Sequence, residues 1–264
     1  MRRLRAVLRL ARAAGHGLHG LAIVLFRFPS LDTAARRQRI GWWSRGLIRS
    51  MGIELRVEGK GIAGACLVVA NHISWLDIMV IQAVLPDTRF VAKADVRSWP
   101  LLCRLVDAAG TLYLEREKKR DALRVVHRMA EALRDGDKVA VFPEGTTSTG
   151  HAVMPFHANL LQAAISTATP VQPAAIRFSD ATDAVSEAME FVGATSLAES
   201  LWRTACGEGI VARLVLLSPR AAGGTDRRRL AIQLRDDIVV ALDAGPRAAA
   251  GRDPAAERAA AGSA

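Results

Sequence analysis

The stretch Cys66-Leu67-Val68-Val69-Ala70-Asn71-His72-Ile73-Ser74-Trp75-Leu76-Asp77 decides how this chain is read. Five apolar residues in a row, without alternation, describe a strand buried on both faces, as in a sheet covered on both sides. A helical pattern follows at Ser74, and the turn from a strand end into a helix is where α/β folds place reactive groups. His72 falls in that turn and Asp77 in the first helical turn. Five residues apart on a continuous helix they would occupy different faces, so contact requires a bend between them. With the bend, the carboxylate fixes the imidazole tautomer and leaves the other ring nitrogen as a base. Without it, Ser74 caps the helix and Asp77 complements the helix dipole.

Outward from this stretch, short β-rich runs at 54–58, 89–92, 111–114, 139–142, 171–177 and 211–217 alternate with helical patterns at 74–84, 98–107, 118–134, 158–167, 196–206 and 226–242. Strands separated by helices predict an α/β fold: a mixed central sheet covered by helices on both faces. Residues 51–244 form this domain, preceded by a basic helical segment at 1–50. From 245 to 264 the composition collapses to Ala, Gly, Arg and Pro, which predicts a disordered tail. Gly59-Lys60-Gly61-Ile62-Ala63-Gly64 spells a dinucleotide fingerprint, but that motif works only when it opens a helix. Here a strand follows, so the glycines are expected to make a strand-to-strand turn.

The 264 residues suffice for one large core, and their net charge of +10 is unevenly placed. Residues 1–50 carry eleven arginines against a single acid, Asp32, while the remainder is balanced. Between Leu4 and Phe28, Leu4, Val7, Leu8 and Leu10 or Ala11 share one helical face and Arg2, Arg5, Arg9 and Arg12 another. This pattern fits a helix lying in a membrane interface with its arginines at headgroup level, or a solvated basic helix packed on the domain. The apolar part is too short to span a bilayer by itself. Phe28-Pro29 ends it, and a second arginine-rich helix from about Thr33 to Met51 offers Trp42 and Trp43 as interface anchors. A single Tyr and no RNP-like run argue against nucleic acid. Cys66, Cys103 and Cys206 are scattered in apolar surroundings and read as buried thiols rather than as a disulfide framework. His16, His19, His127, His151 and His157 form no ligand-like cluster, so no metal is expected.

Two further stretches carry chemistry. Phe142-Pro143-Glu144-Gly145-Thr146-Thr147-Ser148, at a strand end, is either a polar turn or a loop whose N–H and hydroxyl groups meet a phosphate. An acid is odd company for an anion, so Glu144 is better explained as holding the loop or a neighbouring base. Gly110-Thr111-Leu112-Tyr113-Leu114-Glu115-Arg116 ends a strand in an arginine suited to bidentate phosphate recognition, or to a surface pair with Glu115 or Glu117. No GxSxG elbow suggests a hydrolase.

Together the Asn71–Asp77, Gly110–Arg116 and Phe142–Ser148 stretches, in this order, resemble the glycerolipid acyltransferase family typified by 1-acylglycerol-3-phosphate acyltransferase. The likeness covers roughly residues 50–220, and includes Val171–Ile176 with its central Pro173 and the basic stretch holding Lys93 and Pro100. By that resemblance 51–244 is an acyltransferase domain, His72 is the general base, and Asp77 is its partner. Arg116, Glu144, Gly145, Thr146 and Lys93 would bind the acceptor. The implied reaction moves a fatty acyl group from acyl-ACP or acyl-CoA, as co-substrate and without another cofactor, to the free hydroxyl of lysophosphatidic acid. The implied place is the bilayer, at the cytoplasmic face of the inner cell membrane. One element departs: where many members carry Phe-Lys-x-Gly, this chain has Phe156-His157-Ala158-Asn159. That change motivates a second acceptor, such as lyso-ornithine lipid. A non-catalytic membrane-binding scaffold on the same fold is the rival of a different class.

Overall fold

The computed structural model of the chain describes residues 2–93, 102–114 and 119–245. Among these residues, seven strands form one sheet: β1 (Glu54–Glu58), β2 (Cys66–Ala70), β3 (Thr88–Lys93), β4 (Leu112–Leu114), β5 (Lys138–Val141), β6 (Val171–Ser179) and β7 (Val211–Leu216). Their order is β1-β7-β6-β2-β5-β3-β4. Every pairing is parallel except β6 against β7, so the sheet is mixed, as expected. Pro173, which has no N–H to give a ladder, sits just outside the β6–β7 register that closes at Ala174↔Leu216.

Helices cover both faces. They are α1 (Arg2–Ala22), α2 (Thr33–Ser50), α3 (Leu76–Val84), α4 (Leu102–Ala108), α5 (Lys119–Arg134), α6 (Gln162–Thr167), α7 (Leu197–Cys206) and α8 (Arg227–Asp243). Cys66, Val68 and Ala70 of β2 pack toward α1, α2, α3 and α7, whereas Leu67 and Val69 pack toward α5, α6 and α8. All five are buried, which is why the strand reads as an unbroken apolar run. Asp32, Ser196 and Asp226 cap α2, α7 and α8 through their side-chain oxygens. The segment expected as one helix over 158–167 opens with a tighter 3₁₀ turn at Ala158–Leu161. The tail after Gly245 lies outside the described residues.

The glycine run 59–64 joins β1 to β2 without any helix, so it is a connection between strands and no dinucleotide fingerprint. It is wider than a hairpin, because β7 and β6 lie between the two strands it joins. Gly59 has φ +78°, and a Cβ there would stand 2.0 Å from the Leu216 carbonyl oxygen.

The N-terminal helix packs on the domain through Ala6, Leu10 and Ala13. Its arginine face meets the protein. Arg9 donates to the Ala205 and Gly207 carbonyls at 3.0 and 2.5 Å, Arg2 donates to the Cys206 carbonyl at 3.0 Å, and Arg5 pairs with Glu208. Three cations thus gather at the carboxyl end of α7, where the helix dipole favours them. Leu4, Val7 and Leu8 are left exposed instead, as are Leu18, Leu25 and Phe26. The α-helix stops at Ala22, short of the expected Phe28. It passes through a π-helical turn at Ile23–Arg27 and a 3₁₀ turn at Phe28–Ser30. Trp43, expected as an interface anchor, instead locks α1 to α2. Its indole N–H donates to the His16 carbonyl at 3.0 Å, and His16 Nε2 donates back to the Trp43 carbonyl at 2.8 Å. Trp42 remains exposed. Among the described residues no helix is long and apolar enough to cross a membrane. All three cysteines are free, but only Cys66 is buried; Cys103 and Cys206 are half-buried. Burial pushes the Cys66 thiol up to about 11.

Candidate active site

Because β2, β3, β4, β5 and β6 run parallel, their carboxyl ends reach the same edge of the sheet. His72 follows β2 there and Glu144 follows β5, its neighbour. The chain first leaves the sheet at Asn71. This buried side chain accepts from the Ile176 N–H at 2.8 Å and donates to the Ile176 carbonyl at 2.9 Å. An amide side chain thereby takes the place of one more residue of ladder, while the backbone turns away toward His72.

The bend required for contact between His72 and Asp77 is present. Asp77 Oδ2 lies 2.8 Å from His72 Nδ1 and accepts the N–H groups of Ile73 and Ser74 at 2.7 and 2.9 Å. One carboxylate therefore holds the imidazole and binds the loop amides before α3. Ser74 is not the cap foreseen: the residue preceding the helix is Trp75, with no side-chain capping bond, and the Ser74 hydroxyl is 3.4 Å from the Leu76 N–H. Asp77 is fully buried, whereas the His72 side chain keeps 19% of its surface open. A carboxylate at Nδ1 keeps the proton on that nitrogen and leaves Nε2 with a free lone pair. Nε2 meets no hydrogen-bonding partner among the described residues. The ring stacks on Phe142, with centroids 4.0 Å apart and planes inclined by 13°.

The Phe142–Ser148 loop grips the main chain of His72 from both sides. Glu144 Oε1 accepts the His72 N–H at 2.6 Å, and its Oε2 accepts the Met154 N–H at 3.0 Å. Ser148 donates its own N–H at 2.8 Å and its hydroxyl at 3.0 Å to the His72 carbonyl. Burial raises the Glu144 carboxyl above its ordinary range, opposed by the N–H groups of Met154 and His72. Of the two roles open to Glu144 in the sequence, this geometry serves the holding of the loop and base. Gly145 turns the loop with φ +73° and lies against the His157 ring, and Thr146 beside it is exposed. Lys93 is the last residue of β3, at the same sheet edge. Arg116 lies outside the described residues. The roles of Asn71 and Ser148 were missed in the sequence, although both stand inside the quoted motifs. Among the described residues no three His, Cys, Asp or Glu side chains gather as for a metal ion.

A family model described as Acyltransferase matches residues 50–177, the span that holds Asn71, His72, Asp77, Glu144 and Ser148. The chain is also 37% identical over 249 residues to a lyso-ornithine lipid O-acyltransferase of Pseudomonas aeruginosa, covering 92% of this chain and 95% of that one. The chain belongs to the acyltransferase family. A second relative of this acyltransferase, a 1-acyl-sn-glycerol-3-phosphate acyltransferase of Neisseria meningitidis, is 34% identical over 205 residues, covering 76% and 80% of the two chains. The crystal structure of the LPA acyltransferase PlsC from Thermotoga maritima shares the fold, with a TM-score of 0.72 at 21% identity over 92% of this acyltransferase and 97% of that chain.

Proposed function

We propose that this acyltransferase moves a fatty acyl group from a thioester to the free hydroxyl of a lysolipid, with His72 as the general base. The observation that carries the reading is the His72–Asp77 pair at 2.8 Å, with Nε2 turned to a half-open edge of the sheet. A hydroxyl is a poor nucleophile until its proton is taken. His72 Nε2 accepts that proton as the oxygen attacks the thioester carbonyl, and the buried Asp77 carboxylate stabilises the imidazolium. The tetrahedral intermediate collapses to the ester and expels the thiolate of coenzyme A or acyl carrier protein, which takes the proton back from His72. The thioester is a co-substrate, and these steps call on no other cofactor.

Lyso-ornithine lipid is the acceptor we favour over lysophosphatidic acid, the acceptor the motifs alone imply. The whole-length relative acylates the former by name. His157, standing where many family members carry lysine, lies against Gly145 with its ring 3.2 Å from where a Cβ would be. The charge of a lysine ammonium is thus replaced by an imidazole beside the Gly145–Thr146 turn, which suits an acceptor without glycerol phosphate. The exposed Leu4, Val7, Leu18, Leu25 and Phe26 give the N-terminal helix an outward apolar face, which supports docking on the bilayer where such an acceptor resides. The deciding experiment offers acyl-ACP and acyl-CoA with each acceptor to wild type and to His72→Ala. Turnover of lyso-ornithine lipid that vanishes in the variant supports the reading. Turnover of lysophosphatidic acid alone reverses the acceptor, and full activity of the variant removes the base.

A further inference from the structure

Outside the residues the family model matches, one side chain reaches the catalytic loop from behind. Arg235 lies on α8, on the face of the sheet opposite α3. Its Nη2 and Nε donate to the Val153 carbonyl at 2.8 and 3.1 Å, and Nε also reaches the Met154 carbonyl at 3.3 Å. Val153 is buried against Ile238 and Leu242 of the same helix, so its carbonyl has little access to water. The next link is short. The Met154 N–H donates to Glu144 Oε2 at 3.0 Å, and Glu144 Oε1 accepts the His72 N–H at 2.6 Å.

We propose that Arg235 is a positioning residue for acyl transfer, holding His72 through Val153, Met154 and Glu144. The guanidinium clamps two successive carbonyls and so fixes the orientation of the peptide that carries the Met154 N–H. That N–H is one of two backbone donors keeping the buried Glu144 carboxylate in place. Without Arg235 the 153–154 segment is released, Glu144 loses a donor, and the His72 main chain loses its fixed partner. Only a multi-donor planar cation spans both carbonyls, which is why a lysine is no equal substitute. Misplacement of a reacting group by an ångström from a change this remote is enough to cost up to about 10²-fold in rate. The proposal rests on His72 being the base.

The test compares wild type, Arg235→Ala, Arg235→Lys, His72→Ala and the exposed control Arg229→Ala in acyl transfer to whichever lysolipid the wild type accepts. Arg235→Ala is expected to lower kcat about tenfold with the acceptor KM within twofold of wild type. The acid limb of its kcat/KM profile should move to higher pH, because Glu144 has lost a donor that opposes its raised pKa. Added guanidinium chloride at low millimolar concentration should restore part of the rate, and Arg235→Lys should lie between. Unchanged kcat and an unmoved acid limb in either Arg235 variant, even with a lowered Tm, would overturn the relay and leave Arg235 a packing residue. If Arg235→Ala does not fold, the limb of Arg235→Lys decides in the same way. Full activity in His72→Ala would remove the base itself, a failure distinct from a dead His72→Ala beside an unaffected Arg235→Ala.

Discussion

The main-chain N–H of His72 donates to Glu144 Oε1 at 2.6 Å across neighbouring strands, so two residues 72 positions apart share one hydrogen-bonded frame. Ser148 completes it from the other side by binding the His72 carbonyl with both its N–H and its hydroxyl. A histidine in a turn would ordinarily be mobile. Here its backbone is held by Glu144 and Ser148, its ring by Asp77, and one ring face by Phe142. Such preorganisation suits the proposed role of His72, since a base held in this way needs no reorganisation during the reaction.

Removing the proposed base should cost the rate that general-base catalysis supplies. His72→Ala is expected to lower kcat by about 10²–10⁴-fold while leaving the circular dichroism spectrum intact. Asp77→Asn should be damaging in a second way. All three hydrogen bonds fall on Oδ2, so an amide either keeps its oxygen there and buries an unpartnered NH₂ in the place of Oδ1, or turns that NH₂ against three donors. Its Tm should therefore fall as well as its activity, whereas His72→Ala should spare Tm. A variant pair with equal Tm would refute the structural half of this account.

Glu144 should make stability and activity respond to pH in opposite senses. Its folded pKa is raised by burial, so its contribution to stability is full below the ordinary carboxylate range and is lost as pH rises through the raised value. Activity needs the ionised form, because both oxygens accept N–H groups. Relative to Glu144→Gln, the wild type should lose Tm as pH rises above the ordinary carboxylate range, as it gains kcat. Thermal melts of both proteins across that rise, set beside rate profiles, provide the check. Parallel melting curves for the two proteins would show that Glu144 has no such linkage.

Gly59 should be intolerant of any side chain, independently of catalysis. Its φ of +78° is disfavoured for L-residues, and a Cβ would stand against a backbone oxygen that no rotamer change can move. Gly59→Ala is expected to cost more than about 1 kcal/mol, read as a lowered urea midpoint. The folded fraction should keep wild-type kcat, because the β1–β2 connection is remote from His72.

How much of this was legible in the sequence depends on whether the signal is periodic, local or distant. The buried strand at 66–70 and the strand-to-helix turn after it were readable from an apolar run and its successor. The frame around His72 was partly readable, since Glu144 had a carboxylate's chemistry in an unsuitable place for an anion. Periodicity in α1 showed which residues share a face but not which face meets the protein. That choice is settled by the carboxyl end of α7, two hundred residues away, whose carbonyls take Arg2 and Arg9. Asn71 and Arg235 bind main-chain atoms of distant segments, and such contacts leave no pattern in either partner's side chains.

The outward face of α1 yields the last prediction. Leu18 of α1 and Phe26 of the turn after it are 63% and 78% exposed, with Arg2, Arg5 and Arg9 engaged on the inner side of the helix. If that face docks on a bilayer, Leu18→Glu with Phe26→Glu adds two charges where acyl chains would lie, at a cost of a few kcal/mol in insertion. Vesicles of phosphatidylethanolamine and phosphatidylglycerol should then float the wild type and leave the double variant at the bottom of the gradient. The solution Tm of the two should agree, because neither side chain is part of the core. Deleting the whole helix is the poorer experiment: Ala6 is buried in the main cluster and Arg9 caps α7, so the fold would be damaged together with the membrane face. A double variant that still floats would place the attachment elsewhere, and the exposed Trp42 with its neighbours Arg45 and Arg49 on α2 would be the next surface to change.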